Sequence, residues 1–67
     1  MKTLKEMKTN IANRLFDDYM QDNRTSITNT MIQTTSEIFE VDLWELKIDV
    51  NVEFELIKDA YYAERKL

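Results

Sequence analysis

The sequence predicts an all-α fold: a small three- to four-helix bundle, one domain over residues 1–67, with homodimerisation as a way to complete its core. Three observations predict it. The chain contains neither glycine nor proline, whereas tight hairpin turns favour glycine-containing pairs whose central residues take positive φ. Apolar residues recur at three- and four-residue spacing in its first and last thirds, the period of a helix with one buried face. Between them lie short links rich in Asn, Asp, Ser and Thr, which join helices without either residue.

The first helix is the clearest. Leu4, Met7, Ile11, Leu15 and Tyr19 form a stripe that Ala12, Phe16 and Met20 widen. Its charges oppose the helix dipole, with lysines in the first turns and Asp17, Asp18 and Asp22 in the last. Each exposed mismatch costs a few tenths of a kcal/mol, so oppositely charged neighbours are expected alongside. The stretch 21–26 (QDNRTS) reads as a turn, with Asn23 suited to a left-handed conformation and Thr25 or Ser26 to capping the next helix. Ile27, Met31 and Ile38, with Ile32 and Phe39 beside them, then fit a second helix face, although the threonines among them are poor helix formers.

A third helix restarts at Leu43, because Asp42 followed by Glu45 has the spacing of a capping box. The run 46–57 (LKIDVNVEFELI) is ambiguous. As a strand, 46–56 alternates cleanly, which makes an α+β fold the alternative. As one helix, it puts Asp49 and Glu53 inside the apolar arc. A helix junction resolves the conflict: Leu43, Leu46, Val50, Phe54, Ile57 and Tyr61 form a longer helical stripe. Asp49 or Asn51 would cap a helix from about 52 to 66, acidic at its start and basic at its end. That last helix carries two apolar stripes, Val52–Leu56–Ala60–Ala63–Leu67 and Phe54–Ile57–Tyr61, and is expected to touch two neighbours with them.

A chain of 67 residues buries only about 60% of its unfolded surface, and such a core rarely contributes more than roughly 3–5 kcal/mol unaided. Cysteine and histidine are both absent. That excludes disulfides, removes the main ligands of transition metals, and eliminates the thiol nucleophile and the commonest general base. No glycine-rich loop exists to cradle phosphates. The carboxylate pairs Asp17–Asp18, Glu37–Glu40 and Asp42–Glu45 read as solvated helix faces. Asp49-x-Asn51-x-Glu53 matches half of a calcium loop, but Phe54 stands where that loop needs glycine and Ala60 where it needs glutamate. No enzyme activity and no cofactor are expected. The polar opening MKTLKEMKTN and the lack of an apolar run near ~18–20 residues point to a cytoplasmic protein without a membrane span.

Net charge is −4, unevenly laid out. Lys2, Lys5, Lys8 and Arg14 against Glu6 give residues 1–14 a sum of +3. Glu37, Glu40, Asp42, Glu45, Asp49, Glu53, Glu55 and Asp59 against Lys47 and Lys58 give residues 36–59 a sum of −6. The basic arm and acidic body are expected to pair, within one molecule or between two, and nucleic acid is disfavoured as the main partner. Trp44 more often marks a core than an interface in so small a domain, but an exposed Trp is a strong binding anchor. Tyr62 falls on the charged side of its helix. The candidate partner-binding residues are therefore Trp44, Tyr62, Glu40, Glu45, Glu55 and Asp59. The expected function is binding of another protein, as a regulator, inhibitor or adaptor of the phage or mobile-element type. Two alternatives are an acidic mimic of nucleic acid and a DNA-binding regulator using the basic first helix.

Overall fold

A computed structural model describes residues 2–22 and 27–65. Among them it has three α-helices, α1 (Leu4–Met20), α2 (Ile27–Phe39) and α3 (Leu43–Arg65), and no strand. The fold is the all-α bundle that the glycine-free composition predicts. Lys8 meets Asp49 near one end and Tyr19 meets Tyr62 near the other, so α1 and α3 run in the same direction. The connections on either side make α2 the return helix. The 23 residues of α3, at about 1.5 Å each, account for most of the 41 Å long axis.

Short polar side chains start two of the helices. Thr3 caps α1: its Oγ1 accepts the Glu6 N–H at 3.1 Å, and Glu6 lies at capping-box spacing. Asp42 begins α3 in the same manner, with the Glu45 N–H donating to Oδ2 at 3.0 Å, as its spacing predicts. Two acidic residues turn the chain at helix ends. Asp22 has φ 52° and Glu40 has φ 54°. At Glu40 the Val41 N–H reaches the Ser36 carbonyl at 3.0 Å, the hydrogen bond of a Schellman ending. Links without glycine therefore do use the left-handed region, at a steric cost of roughly 1–2 kcal/mol per residue. The turn and caps expected at Asn23, Thr25 and Ser26 lie outside the described residues.

The ambiguous run is neither a strand at 46–56 nor a junction: α3 continues through Asp49 and Asn51 without a break. Leu46 and Val50 are each 1% exposed, and Phe54 and Ile57 pack against them. The long helical stripe thus outweighs the local alternation, because it alone faces a neighbour. Asp49 is no defect there. Its Oδ2 accepts from Lys8 Nζ at 2.7 Å, at the solvent edge of the α1–α3 seam. The basic arm and acidic body do pair within the molecule, through this bridge.

Ile11, Ala12, Ile32, Leu46 and Val50 form the buried core. Aromatic rings extend it along α3: Phe16 lies 5.4 Å from Tyr61 and Tyr19 lies 5.7 Å from Phe54, both edge-on. From α2, Ile32 is accompanied inward by Thr28, Thr35 and Ser36. Thr28 Oγ1 donates to Asp18 Oδ2 at 3.0 Å, and Arg14 Nε lies 3.6 Å from the other carboxylate oxygen. Asp18 opposes the dipole of α1 but meets the first turn of α2, where a carboxylate is favoured. A helix neighbour thus offsets part of the dipole mismatch expected of α1.

Two outcomes check these contacts. Glu40→Gly relieves a left-handed Cβ and raises the unfolding free energy by about 0.5–1 kcal/mol in urea titration. A double-mutant cycle on Lys8→Ala and Asp49→Ala gives a coupling of about 0.2–1 kcal/mol, because both groups are partly solvated, and it shrinks in high salt.

Candidate protein-binding surfaces

An alternating run forced into a helix divides its apolar residues between opposite faces. Residues 46, 50, 54 and 57 turn inward. Ile48, Val52 and Leu56 turn outward at 60%, 55% and 60% exposure, and Trp44 continues their row at 69%. These four lie at four-residue intervals, one ridge along α3. Glu45, Glu55 and Asp59 are exposed on the same outer side of the helix. Ile48, Asn51, Val52, Glu55 and Leu56 line a shallow groove of about 380 Å³. Lys47 Nζ sits 4.8 Å from the Trp44 ring centre, a cation–π contact that steadies the indole at the surface. Isolated exposed apolar side chains are ordinary, but a contiguous row rimmed by charge marks a binding surface.

A second exposed apolar region lies on α2. The face that enters the core is Thr28, Ile32, Thr35 and Ser36. Beside it Ile27 and Ile38 turn outward, at 46% and 69% exposure, while Met31 between them is half-buried and packs partly against the core. With Met7, Thr34 and Phe39 these three line a groove of about 480 Å³, and Lys2 stands at its edge.

The structure gathers four of the six expected partner-binding residues, Trp44, Glu45, Glu55 and Asp59, on the outer side of α3. Trp44 is exposed, so its more usual place in the core is ruled out. Tyr62 is exposed but engaged within the chain: its hydroxyl lies 2.9 Å from that of Tyr19, and its ring meets Tyr61 edge-on at 5.3 Å. Glu40 stands apart, as the left-handed residue of the α2–α3 link. Ile48, Val52 and Leu56 were not among the expected site residues, and neither was the α2 groove. The signal for Ile48, Val52 and Leu56 was the alternation itself, since a helix cannot bury both halves of it against one side. The expectation that α3 uses both its apolar stripes on neighbours is corrected accordingly: Phe54, Ile57 and Tyr61 face the bundle, while Val52, Leu56, Ala60 and Ala63 face out. Leu67 lies outside the described residues.

Charge around the aromatic end is tuned by direct contacts. The Tyr19 hydroxyl holds the Tyr62 phenol above its ordinary value, chiefly through their hydrogen bond. The Glu55 hydrogen bond, 3.2 Å from Lys58 Nζ, raises the Lys58 ammonium in the same way. Among the described residues, no group of three or more carboxylates is placed to hold a metal ion, and no helix is long and apolar enough to cross a membrane.

Replacing surface and core residues separates the two halves of the alternating run. Ile48→Ala and Val52→Ala change stability by less than about 0.5 kcal/mol, whereas Leu46→Ala costs about 2–5 kcal/mol in the same denaturation. The tyrosine pair gives a pH signature. A phenol raised on folding stabilises the fold below its unfolded value of about 10, and that contribution is lost as pH rises through the folded value. Tyrosinate absorbance should therefore show Tyr62 titrating late, and Tyr19→Phe should lower its midpoint.

No protein-family model matches the chain, and no curated protein or solved structure is detectably similar to it.

Proposed function

We propose that this chain is a non-enzymatic interaction domain that binds another protein through the outer face of α3. One observation carries this: Trp44, Ile48, Val52 and Leu56 form an exposed row that no part of the described chain covers. Tryptophan is enriched among residues that dominate binding energy. The carboxylates beside the row favour a partner that pairs apolar side chains with basic ones, which also speeds encounter. Such a domain suits a regulator, inhibitor or adaptor. A cytoplasmic location and a homodimeric state belong to the same proposal, the second because the core holds five buried apolar side chains among the described residues, a small number.

The geometry favours the two alternatives less. A mimic of nucleic acid needs carboxylates in an unbroken track, and here Ile48 and Val52 stand between Glu45 and Glu55. A DNA-binding first helix needs free cations, and Lys8 is paired with Asp49.

The test is an affinity capture from lysate with and without nuclease, using the natural chain and the double variant Ile48→Lys with Val52→Lys. A near-stoichiometric protein, resistant to nuclease and lost with the variant, is the expected result. Capture that disappears with nuclease transfers the function to the basic helix. Capture untouched by the variant removes α3 as the site. A captured nucleic-acid enzyme, released by salt and indifferent to the apolar substitutions, favours the mimic.

A further inference from the structure

We propose that the outer face of α2 is the two-fold seam of a homodimer, leaving both α3 ridges open to partners. This rests on the homodimeric state proposed above and names the surface that makes it. Charge selects the surface. Each copy carries a net −4, so two copies repel unless they meet where charge is least. Helix α2 spans 13 residues with a single ionisable side chain, Glu37, and its groove is lined by Ile, Met, Phe and Thr with one lysine at the edge. The α3 ridge is unsuited to self-pairing. Two copies crossing antiparallel, with Ile48 opposite Val52, would bring Glu45 against Glu55 of the second copy on both sides of the axis. Like charges in such apposition are destabilising.

The α2 face is also complementary to itself. A two-fold contact requires each residue to meet its counterpart in reverse order. Pairing α2 antiparallel about the Ile32–Gln33 midpoint sets Ile27 opposite Ile38 and Met31 opposite Thr34 of the second copy. A long thioether then faces a short hydroxyl side chain, and the two exposed isoleucines cover each other. A standard interface removes about 800 Å² per partner, near a seventh of the 5200 Å² surface of the chain. Thirteen residues at about 1.5 Å each offer nearly 20 Å of contact, with Met7 and Phe39 beside them to widen it. The α2 and α3 grooves share no residue, so a dimer formed at one presents two copies of the other. Such a protein would engage its partner bivalently, with the gain in avidity that follows.

Sedimentation equilibrium of the full chain, from low to high micromolar concentration, reads the seam directly. The expected mass is that of two 8.1 kDa chains. Ile38→Lys, and separately Thr34→Lys, should raise the dimer dissociation constant by at least ~100-fold while helical circular dichroism stays unchanged. Both sites are exposed, so neither substitution disturbs the core, and Val52→Lys should leave the dimer intact. A natural chain that stays at one-chain mass throughout overturns the proposal. So does a dimer that withstands both α2 substitutions or dissolves with Val52→Lys. The two proposals fail separately: an α2 dimer that captures no protein keeps the seam and loses the partner surface, and a monomer that captures a protein through α3 does the reverse.

Discussion

The fold depends on the seam where Ile11 and Ala12 of α1 pack with Leu46 and Val50 of α3. This contact fixes the rotation of α3 about its own axis. Once Leu46 and Val50 are committed inward, the hundred-degree step of the helix sends Ile48, Val52 and Leu56 outward. The same phase carries Asp49 to the seam's edge, within reach of Lys8, and brings Phe54 and Tyr61 against Phe16 further along. The interior and the ridge proposed for binding are consequences of one helix orientation. A surface made this way sits on a rigid element, which spares a partner much of the entropy of ordering it.

Among the described residues, helix α2 gives the interior one buried apolar side chain, Ile32, in the company of three polar ones. It places threonines and a serine on the core side of Ile32. Short hydroxyl side chains allow close approach, and their polar atoms bond locally, as Ser36 does to the Gln33 carbonyl at 2.8 Å. The Asp18–Thr28 hydrogen bond ties its first turn to the end of α1. Ile27 and Ile38 are consequently left facing solvent, while Ile32 is buried and Met31 packs partly against the core. An uncharged apolar face and a charged one on separate helices give the molecule two chemically distinct surfaces, suited to two different kinds of contact.

The absence of glycine leaves its mark at the helix ends. Asp22 and Glu40 hold left-handed backbone where glycine would be unstrained. Both are acidic and stand at helix C-termini, where the dipole also disfavours negative charge. In a domain with so few buried apolar side chains these small costs matter, because total stability is a small difference between large terms. They are among the costs that the proposed dimer would help to offset.

How much of this was legible in the residues follows from which periods are local. The sequence by itself determined the helical class, since neither glycine nor proline is present to build turns. It determined the first helix, from Leu4 through Tyr19, and the cap at Asp42. The Thr3–Glu6 spacing carries the same capping signal at the start of α1. The acidic partner-binding candidates on α3 followed from charge layout alone. Tertiary structure decided the rest. Alternation at 46–57 supports a strand or a two-faced helix equally well until a neighbour, here α1, is present to bury one half of it. Likewise, hydrophobicity marked Ile27, Met31 and Ile38, with Ile32 and Phe39 beside them, as the face of α2; packing buried Ile32 and part of Met31, left Ile27 and Ile38 outside, and placed Thr28, Thr35 and Ser36 within. A helix buries the face that fits its neighbours' shape and hydrogen bonds, and that face need not be its most apolar one. For Trp44 composition favoured the core, and the rotation of α3 put it on the surface.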